Sequence, residues 1–404
     1  MTPEIKHRIE KIRRGNVPDG YKKTKAGILP ADWDVHMLGE CLSRVEKPVE
    51  VKPNKLYTQI GIRSHGKGIF YKEPVTGAAL GNKSVFWIEP DCFIVNIVFA
   101  WEQAIGKTTQ SEVGMIGSHR FPMYRPVNDR VDIDYLISYF LTKRGTDILE
   151  AASPGGAGRN KTLGQERFLK SKIVLPPIGE QQKIAAILTT QDRVIELKEK
   201  RLAEKQRQKK YLVQQLLTGK KRLPGFAFEV EKTNIKAIST YSVSTISQTM
   251  LESYEGKQLY PAFNANSIAG YVDFYENECP YISIIKDGAG IGRVRLCEAK
   301  SSTIGTMGCI HARKGISIIF LYYLLEQVDF NKYSNGSTIP HLYYKDYSCE
   351  KVRIPDIKEQ AAIAEVLSTA DREIELLQQD IEQEKQKKKA LMQLLLTGIV
   401  RVKT

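Results

Sequence analysis

One glycine-rich stretch contains residue types that could bind a nucleotide cofactor. Asp287-Gly-Ala-Gly-Ile-Gly292 has closely spaced glycines, as nucleotide-binding loops do. Such a loop must lead into a helix whose N-terminus meets the phosphate or the ribose. The residues that follow, Arg293–Cys297, favour a strand instead. We therefore predict a tight turn here and no cofactor in this chain.

Two further stretches resemble parts of catalytic motifs but lack essential positions. Gly106-Lys107-Thr108 could end a phosphate-binding loop, but Trp101 stands where that loop needs its first glycine. An adenine methyltransferase needs two prolines between an Asn or Asp and an aromatic residue. The one pair of adjacent prolines, Pro176-Pro177, lacks both neighbours. We expect no catalytic residue in this chain.

The histidines and cysteines do not have the spacing of a metal site. There are six of each, and no two cysteines form a C-x-x-C pair. Scattered cysteines fit reduced thiols in a cytoplasm better than a disulfide framework. No apolar run approaches the ~18 residues of a membrane helix, and the N-terminus lacks the apolar centre of a signal peptide. The sequence predicts a cytoplasmic chain without a metal or a membrane partner.

The net charge indicates a polyanionic partner. The 404 residues include 60 Lys and Arg against 46 Asp and Glu, which gives a net charge of +14. Nucleic acid is the commonest partner of such a chain. The excess lies in residues 1–222, whereas residues 223–350 are slightly acidic. If the second half of the chain binds DNA, it does so through a local surface.

An internal repeat organises the whole chain. Residues 176–188, PPIGEQQKIAAIL, recur as PDIKEQAAIAEVL at 355–367, an offset of 179 residues. The offset holds without a gap to the sequence LLTG at 216–219 and at 395–398. Each copy is predicted to be one helix that begins just after Pro176 or Pro355 and ends at a glycine.

Apolar residues recur every seven positions in both predicted helices, which is typical of a coiled-coil seam. A lysine, Lys209 or Lys388, interrupts the series at the same place in each copy. About 40 residues give a helix of roughly 60 Å that cannot bury its apolar stripe alone. We expect the copies to pack on each other, antiparallel; two separate surface helices are the alternative. The residues predicted to pack the helices and dock partners are Leu188, Ile195, Leu202, Leu216, Leu367, Ile374, Ile381 and Leu395.

The repeat divides the chain into four parts: 1–171, 172–222, 223–350 and 351–404. Residues 1–171 and 223–350 differ in sequence but follow the same order. Each has short β-rich runs, a short apolar helix, a glycine-rich polar loop and a closing strand. We expect one globular fold used twice, for two different targets.

These segments resemble the specificity subunits of type I DNA restriction–modification enzymes. The repeated helical block is similar to that family's conserved helical region. Similarity to its target recognition domains lies in GIRSHGKGIF at 61–70, AWEQAIG at 100–106, KDGAGIG at 286–292 and GSTIPHLYYKD at 336–346. The resemblance covers essentially the whole chain.

The resemblance implies an α+β fold with two globular target recognition domains separated by two long antiparallel coiled-coil helices. Residues 1–171 and 223–350 would each read half of a two-part target in double-stranded DNA, and 172–222 and 351–404 would be the helical spacers. Two modification subunits would dock on the helices and carry S-adenosylmethionine and adenine-N6 methyl transfer. Restriction subunits, which combine motor and nuclease, would join them, and this chain would perform no chemistry.

Base discrimination needs Arg, Lys, Asn, Gln, Ser or Thr at the groove edges, with other residues on phosphates. In the first recognition domain the candidates are Arg63, His65, Lys67, Lys83, Arg159, Asn160 and Lys161. In the second they are Lys286, Arg293, Ser337, Thr338, His341, Tyr343 and Lys345. The basic helical run Lys198–Lys210 could contact phosphates, or be a solvated or partner-facing surface.

Three other interpretations stay open. The chain could be the specificity subunit of a type II-like system whose partner fuses methyltransferase and nuclease. It could also be a coiled-coil scaffold with no DNA role. An enzyme is disfavoured by the missing motifs.

Overall fold

The computed structural model describes residues 2–24, 27–155, 161–226, 231–288, 290–336 and 339–402. The chain divides into two compact units. The first unit combines the residues up to Lys198 with those from Asp380 onward, and the second is Glu199–Gln379. The first unit is therefore built from both ends of the chain. In the part of the chain that is described, no helix has the length and apolar character needed to cross a membrane.

Short helices surround the strands of the first unit. The α-helices are Pro3–Arg13, Leu38–Cys41, Gly77–Leu80, Ile133–Phe140, Lys143–Ala151 and Gln165–Lys170, and 3₁₀ turns lie at Ala100–Glu102 and Gln110–Glu112. The strands are Tyr21–Thr24, Gly27–Pro30, Asp34–Met37, Leu42–Val45, Leu56–Tyr57, Ile60–Ile62, Ile69–Tyr71, Val75–Thr76, Val85–Trp87, Phe93–Val95, Ile105–Lys107, Ile116–Ser118, Met123–Pro126 and Lys172–Leu175.

The second unit has a similar mixture of elements. The α-helices are Ile235–Ile238, Gln248–Glu252, Ile318–Glu326 and Tyr344–Tyr347, and a 3₁₀ helix lies at Phe330–Tyr333. The strands are Glu231–Asn234, Ser239–Val243, Tyr260–Phe263, Ile268–Val272, Tyr281–Ile285, Val294–Cys297, Ser302–Thr303, Met307–Ala312, Ser334–Asn335, His341–Leu342 and Lys351–Ile354.

The main four-stranded antiparallel sheets of the two units have the same connectivity. In each sheet, the strand that comes first in the chain pairs with the strand that comes last. The last strand also pairs with the second, and the second with the third. In sheet order the strands begin at residues 42, 123, 93 and 105 in the first unit, and at 239, 307, 281 and 294 in the second. The expected α+β fold, used twice, is confirmed.

Two long helices carry the sequence repeat. The first long helix is Ile178–Leu217 and the second long helix is Ile357–Leu395. Both begin within two residues of the predicted prolines. Both end just before a glycine with positive φ, +67° at Gly219 and +71° at Gly398. In this left-handed conformation the Gly219 and Gly398 N–H groups donate to Leu216 and Leu395 carbonyls at 3.1 Å.

Within each unit, segments of the two long helices run antiparallel. In the first unit Asp192 pairs with Lys388 at 2.5 Å, and Lys198 pairs with Glu384 at 2.9 Å. Numbers rise along one helix as they fall along the other. In the second unit, Lys205 pairs with Glu373 and Lys209 with Asp371, each at 2.6 Å. The predicted antiparallel packing is confirmed.

The ion pairs explain why a lysine interrupts each apolar series. Asp192–Lys388 in the first unit and Asp371–Lys209 in the second are the same interaction, related by the repeat offset. Lys388 and Lys209 are half-buried beside the seam, where long side chains pack their stems and reach a carboxylate on the opposite helix.

Residues of both long helices enter the main apolar core of each unit. In the first unit Leu188 and Leu395 belong to the core that contains Phe93 and Phe168. In the second unit Leu216 and Leu367 occupy the corresponding core. Six of the eight predicted packing residues are buried, and Leu202 and Ile374 are half-buried. Helix packing and globular core are therefore continuous inside each unit.

Candidate nucleic-acid interface

In the first unit, the tip of a β-hairpin presents three of the predicted DNA-binding side chains. Strands Ile60–Ile62 and Ile69–Tyr71 pair antiparallel, and Arg63, His65 and Lys67 between them are exposed. The Arg63 guanidinium lies 4.8 Å from the centre of the Phe70 ring, which limits its freedom. The tip thus offers a guanidinium, an imidazole and an ammonium group to one partner.

The hairpin tip is held by the 3₁₀ turn Ala100–Glu102. The His65 N–H donates to the Glu102 carbonyl at 2.8 Å, and the Gly66 N–H donates to the Gln103 carbonyl at 2.9 Å. The Ser64 hydroxyl donates to the Glu102 carboxylate at 3.0 Å. Segments 61–70 and 100–106 each resemble part of a target recognition domain in sequence. The structure brings these two segments together.

The other described candidates of the first unit divide between two places. The Lys161 ammonium lies 5.3 Å from the centre of the Trp101 ring, within the turn that supports the hairpin. Lys83 is exposed in the turn before strand Val85–Trp87, which belongs to a different two-stranded sheet. Four predicted DNA-binding residues lie outside the described residues, namely Arg159, Asn160, Ser337 and Thr338.

In the second unit, Asp287 joins two predicted reading segments. Its Oδ1 lies 2.7 Å from His341 Nδ1, and its Oδ2 lies 2.5 Å from Lys286 Nζ. The main chains also meet, because the Leu342 N–H donates to the Lys286 carbonyl at 2.8 Å. Lys286 and His341 therefore form one surface, although 54 positions separate Asp287 from His341. The sequence offered no signal for the Asp287–His341 contact, since these two residues are distant in the chain.

Asp287 is held in its ionised form. Burial opposes the charge, but the Lys286 ammonium and the His341 ring outweigh burial and lower the pKa of this carboxyl. A carboxyl with a lowered pKa stabilises the fold at any pH above its unfolded-state pKa. That contribution is lost as the pH falls through the lowered folded-state pKa.

We expect Asp287→Asn to lower the free energy of unfolding by about 1 kcal/mol at neutral pH, because a charge-assisted contact to each neighbour is weakened. The difference from the parent protein should shrink as the pH falls from about 5 toward the lowered pKa. Urea unfolding of the full chain at several pH values measures it. Glu298→Gln, which alters an exposed carboxyl of the same unit, is the control. A difference that grows on acidification would contradict the assignment.

Arg293 lies beside a polar cavity of about 260 Å³. Its Nη2 donates to the Asn266 Oδ1 at 2.9 Å and to the Ala265 carbonyl at 3.1 Å. Strand Val294–Cys297 follows at once, as the sequence predicted for the residues after the glycine-rich stretch. The described residues after the turn therefore enter a sheet, and they do not form the helix that a nucleotide-binding loop requires.

The three tyrosines near residue 345 have different environments. Tyr343 is exposed, with the Lys345 ammonium 5.6 Å from its ring centre. Tyr344 stacks on Tyr241 at 4.8 Å, and Tyr347 is buried. Tyr343 and Lys345 remain available to a ligand, whereas Tyr347 is a core aromatic residue.

The Glu-Gln pair of the repeat, Glu180-Gln181 and Glu359-Gln360, has a structural role that the sequence analysis did not predict. Glu180 and Glu359 are each 1% exposed. Arg401 donates to both Glu180 oxygens at 2.8 Å, and Arg222 donates to both Glu359 oxygens. Arg222 and Arg401 are also related by the 179-residue offset. Extending the repeat three residues past its glycine would have revealed them.

The glutamine that follows caps a helix of the globular domain in both units. Gln181 accepts from the Asp132 N–H at 2.9 Å, and Gln360 accepts from the Ser317 N–H at 2.9 Å. Asp132 and Ser317 are the N-cap residues of equivalent helices. The beginning of each long helix is therefore hydrogen-bonded to the globular part of its own unit.

Three lysines of the basic run Lys198–Lys210 form ion pairs with carboxylates of the second long helix. They are Lys198, Lys205 and Lys209. The sequence analysis predicted either phosphate contacts or a solvated or partner-facing surface for this run. Hydrogen bonds from Lys198 and Gln191 lower the pKa of Glu384 to about 2. Helical spacing places these lysines on the seam side. Exposed basic residues of the run are Lys200, Arg201, Arg207 and Lys210.

The long helices also carry exposed apolar residues at equivalent positions. Leu197 is 50% exposed and Leu376 is 58% exposed, and they are related by the repeat offset. Beside the first of them, a groove of about 540 Å³ is lined by small side chains that include Ala186, Thr190 and Val194. No cluster of His, Cys, Asp or Glu able to hold a metal ion occurs among the residues described.

A family model matches most of the chain. The model of the type I restriction modification DNA specificity domain matches residues 72–206 and, a second time, residues 225–386. The first match includes three of the four strands of one main sheet, the second match includes all four strands of the other, and each includes part of one long helix. The duplication found in the sequence is thus a duplication of this domain.

Individual relatives agree with the family model. Two proteins of Methanocaldococcus jannaschii are each 24% identical: MjaX, provisionally named a type I restriction enzyme specificity subunit, and the MjaVIII specificity subunit. The alignments cover 96% and 95% of this chain and 98% and 97% of the relatives. The type I restriction–modification S subunit of M. genitalium has a TM-score of 0.60 at 14% identity, over 92% of this chain and 97% of that chain.

Proposed function

The chain belongs to the family of type I restriction–modification DNA specificity proteins, whose members are non-catalytic subunits, and we propose that it reads a two-part DNA target. On this proposal each unit reads one half-site in double-stranded DNA. The chain itself selects the sequence and transfers no methyl group.

The observation that carries the proposal is that the two units share a sheet topology but present different polar side chains. The two main sheets have the same connectivity, but the polar groups at the surface differ, being exposed in the first unit and half-buried in the second. The first unit presents the hairpin tip Arg63–Lys67, and the second presents Lys286 and His341 joined through Asp287. Equivalent scaffolds would approach DNA in equivalent ways, and different side chains would select different bases.

Partner docking follows from the repeat in the helices. Leu197 and Leu376 present equivalent exposed positions, so two copies of one partner can bind in the same manner. We assign these positions to two modification subunits, which would carry S-adenosylmethionine. Restriction subunits would join the assembly for cleavage. The buried seam residues, such as Leu188 and Leu367, are already packed inside the units.

Methylation mapping tests the function. Cells that carry this chain together with its modification subunit should acquire N6-methyladenine in a single two-part sequence with a spacer of constant length. Cells that carry the modification subunit alone should lack this pattern. Methylation that is absent, or confined to one continuous motif, would contradict the proposal. Sequence-selective, salt-dependent DNA binding by the complex would exclude a pure scaffold.

We expect Leu197→Glu and Leu376→Glu each to weaken the binding of one modification subunit by at least tenfold, because a carboxylate replaces an apolar contact at a buried interface. Both leucines are exposed in the chain itself, so the fold should be retained. Native mass spectrometry of the complex measures the number of bound subunits. Tyr211→Glu, at an exposed aromatic residue whose repeat equivalent, Ala390, carries only a methyl group, is the control. Loss of both subunits from either single variant would contradict two independent docking positions.

A further inference from the structure

The second unit contains an open groove at the end of the first long helix. Its volume is about 580 Å³, and it lies between residues 213–220, 324–328 and 350–353. The apolar side chains that line it are Val213, Leu217, Leu324, Val328 and Val352. Val213, Leu217 and Leu324 are buried and form the floor. A floor of this kind suits an apolar side chain of another segment.

The rim of the groove is basic. Lys220, Lys351 and Arg353 line it and are exposed, and the one carboxylate among the lining residues is Glu350. Glu350 accepts a hydrogen bond from the Tyr333 hydroxyl. Three cations around an apolar floor attract a segment that carries carboxylates beside apolar residues.

In the first unit, the chain's own N-terminal residues contact the equivalent end of the second long helix. Gly398 and Ile399 correspond to Gly219 and Lys220. The Tyr21 hydroxyl donates to the Gly398 carbonyl at 2.8 Å, and Arg8 donates to the Ile399 carbonyl at 2.9 Å. Arg8 belongs to the helix Pro3–Arg13.

The covering helix shows what kind of segment this place accepts. Ile5, Ile9 and Ile12 lie on the helix Pro3–Arg13 at amphipathic spacing, and all three are half-buried. The first unit therefore holds an amphipathic helix at the end of the second long helix, and the second unit has its groove at the corresponding end of the first long helix. The second unit has no N-terminal extension of its own, since its residues continue directly from the first long helix.

We infer that the groove of the second unit docks an acidic amphipathic segment of a modification subunit, an inference that rests on the proposed function. A second copy of this chain is a poor occupant, because its N-terminal helix is already held within its own first unit, where Arg8 donates to the Ile399 carbonyl. DNA would use the rim alone and leave the apolar floor uncovered.

The docking is expected once in each chain, because the open groove lies in the second unit and the N-terminal helix contacts the corresponding end of the second long helix in the first unit. It therefore distinguishes the two modification subunits, although their positions on the long helices are equivalent. The subunit that inserts its acidic segment is bound more tightly than the other.

The test compares matched charge reversals in the complete complex. Lys220→Glu combined with Lys351→Glu reverses two rim charges. Lys172→Glu is the control, since Lys172 is the exposed equivalent of Lys351 in the first unit. Native mass spectrometry over a dilution series at about 0.1 M salt should show the rim variant losing one modification subunit at an about tenfold higher concentration. The control should match the parent complex.

A photo-crosslinking residue at exposed Gln327 identifies the occupant. A crosslink to an acidic segment of the modification subunit supports the inference. Unchanged dissociation of the rim variant overturns it, as does a crosslink to DNA or to another copy of this chain. A rim variant that loses DNA affinity but retains both subunits identifies phosphate contacts instead. If the parent chain binds no modification subunit at all, the proposed function itself fails.

Discussion

Exchange of residues 1–171 for the corresponding domain of another specificity subunit should change one half-site of the methylated sequence and leave the other half unchanged. The reason is that the two reading surfaces, at the hairpin tip and at Asp287, belong to different units. Methylation mapping of cells that carry the chimera measures both halves at once. The reciprocal exchange of residues 223–350 should change the opposite half.

The structure restricts which donor domains can be used. Trp33 donates to the buried Glu180 at 3.1 Å, and Gln181 caps the helix that begins after Asp132. A donor domain should have a tryptophan at the position of Trp33 and a helix N-terminus that can donate to Gln181. The chimera can then fold against the retained long helices. A folded chimera that changes both half-sites would refute independent reading.

Replacement of Arg222 by Met should lower the stability of the second unit by about 2–3 kcal/mol. The change leaves the Glu359 carboxylate, 1% exposed, without its charged partner, and breaking a fully buried pair costs about 3–5 kcal/mol. The guanidinium is 26% exposed, which reduces the cost. Arg401→Met should cost the first unit less, because Glu180 also accepts from Trp33 and the Val402 N–H.

Hydrogen exchange of the full chain separates the two units. Amides at the beginning of the second long helix should lose protection in Arg222→Met, and those at the beginning of the first long helix in Arg401→Met. The double variant Arg222→Met/Glu359→Leu should recover much of the loss, because no buried charge is left. Equal loss of protection in both units after either single change would show that the pairs do not act locally.

The long helices were predictable because their signals are local. A proline before each beginning, a glycine after each end and a seven-residue apolar period between them all act within a few residues. The helices therefore begin within two residues and end within three residues of the predicted places. The interrupting Lys209 was visible, but its partner Asp371 was not, because that contact depends on the antiparallel register.

The reading surfaces were predictable only as sets of residue types. The hairpin tip at His65 depends on hydrogen bonds to Glu102 and Gln103, and His341 depends on Asp287. These contacts join segments that are distant in the chain, and no periodicity or spacing indicates them. Arg63 is exposed, whereas Lys286 and His341 are half-buried, and the role of all three in DNA recognition stays a prediction.

The order in which the chain segments of the two units are synthesised has a consequence for folding on the ribosome. The second unit is one continuous segment, so it can complete its core as soon as residue 379 has emerged. The first unit lacks Leu395 and Leu396, which complete its apolar core, until residues beyond the second unit have been made. A product that ends before residue 395 would therefore leave apolar surface exposed on its earliest-made part.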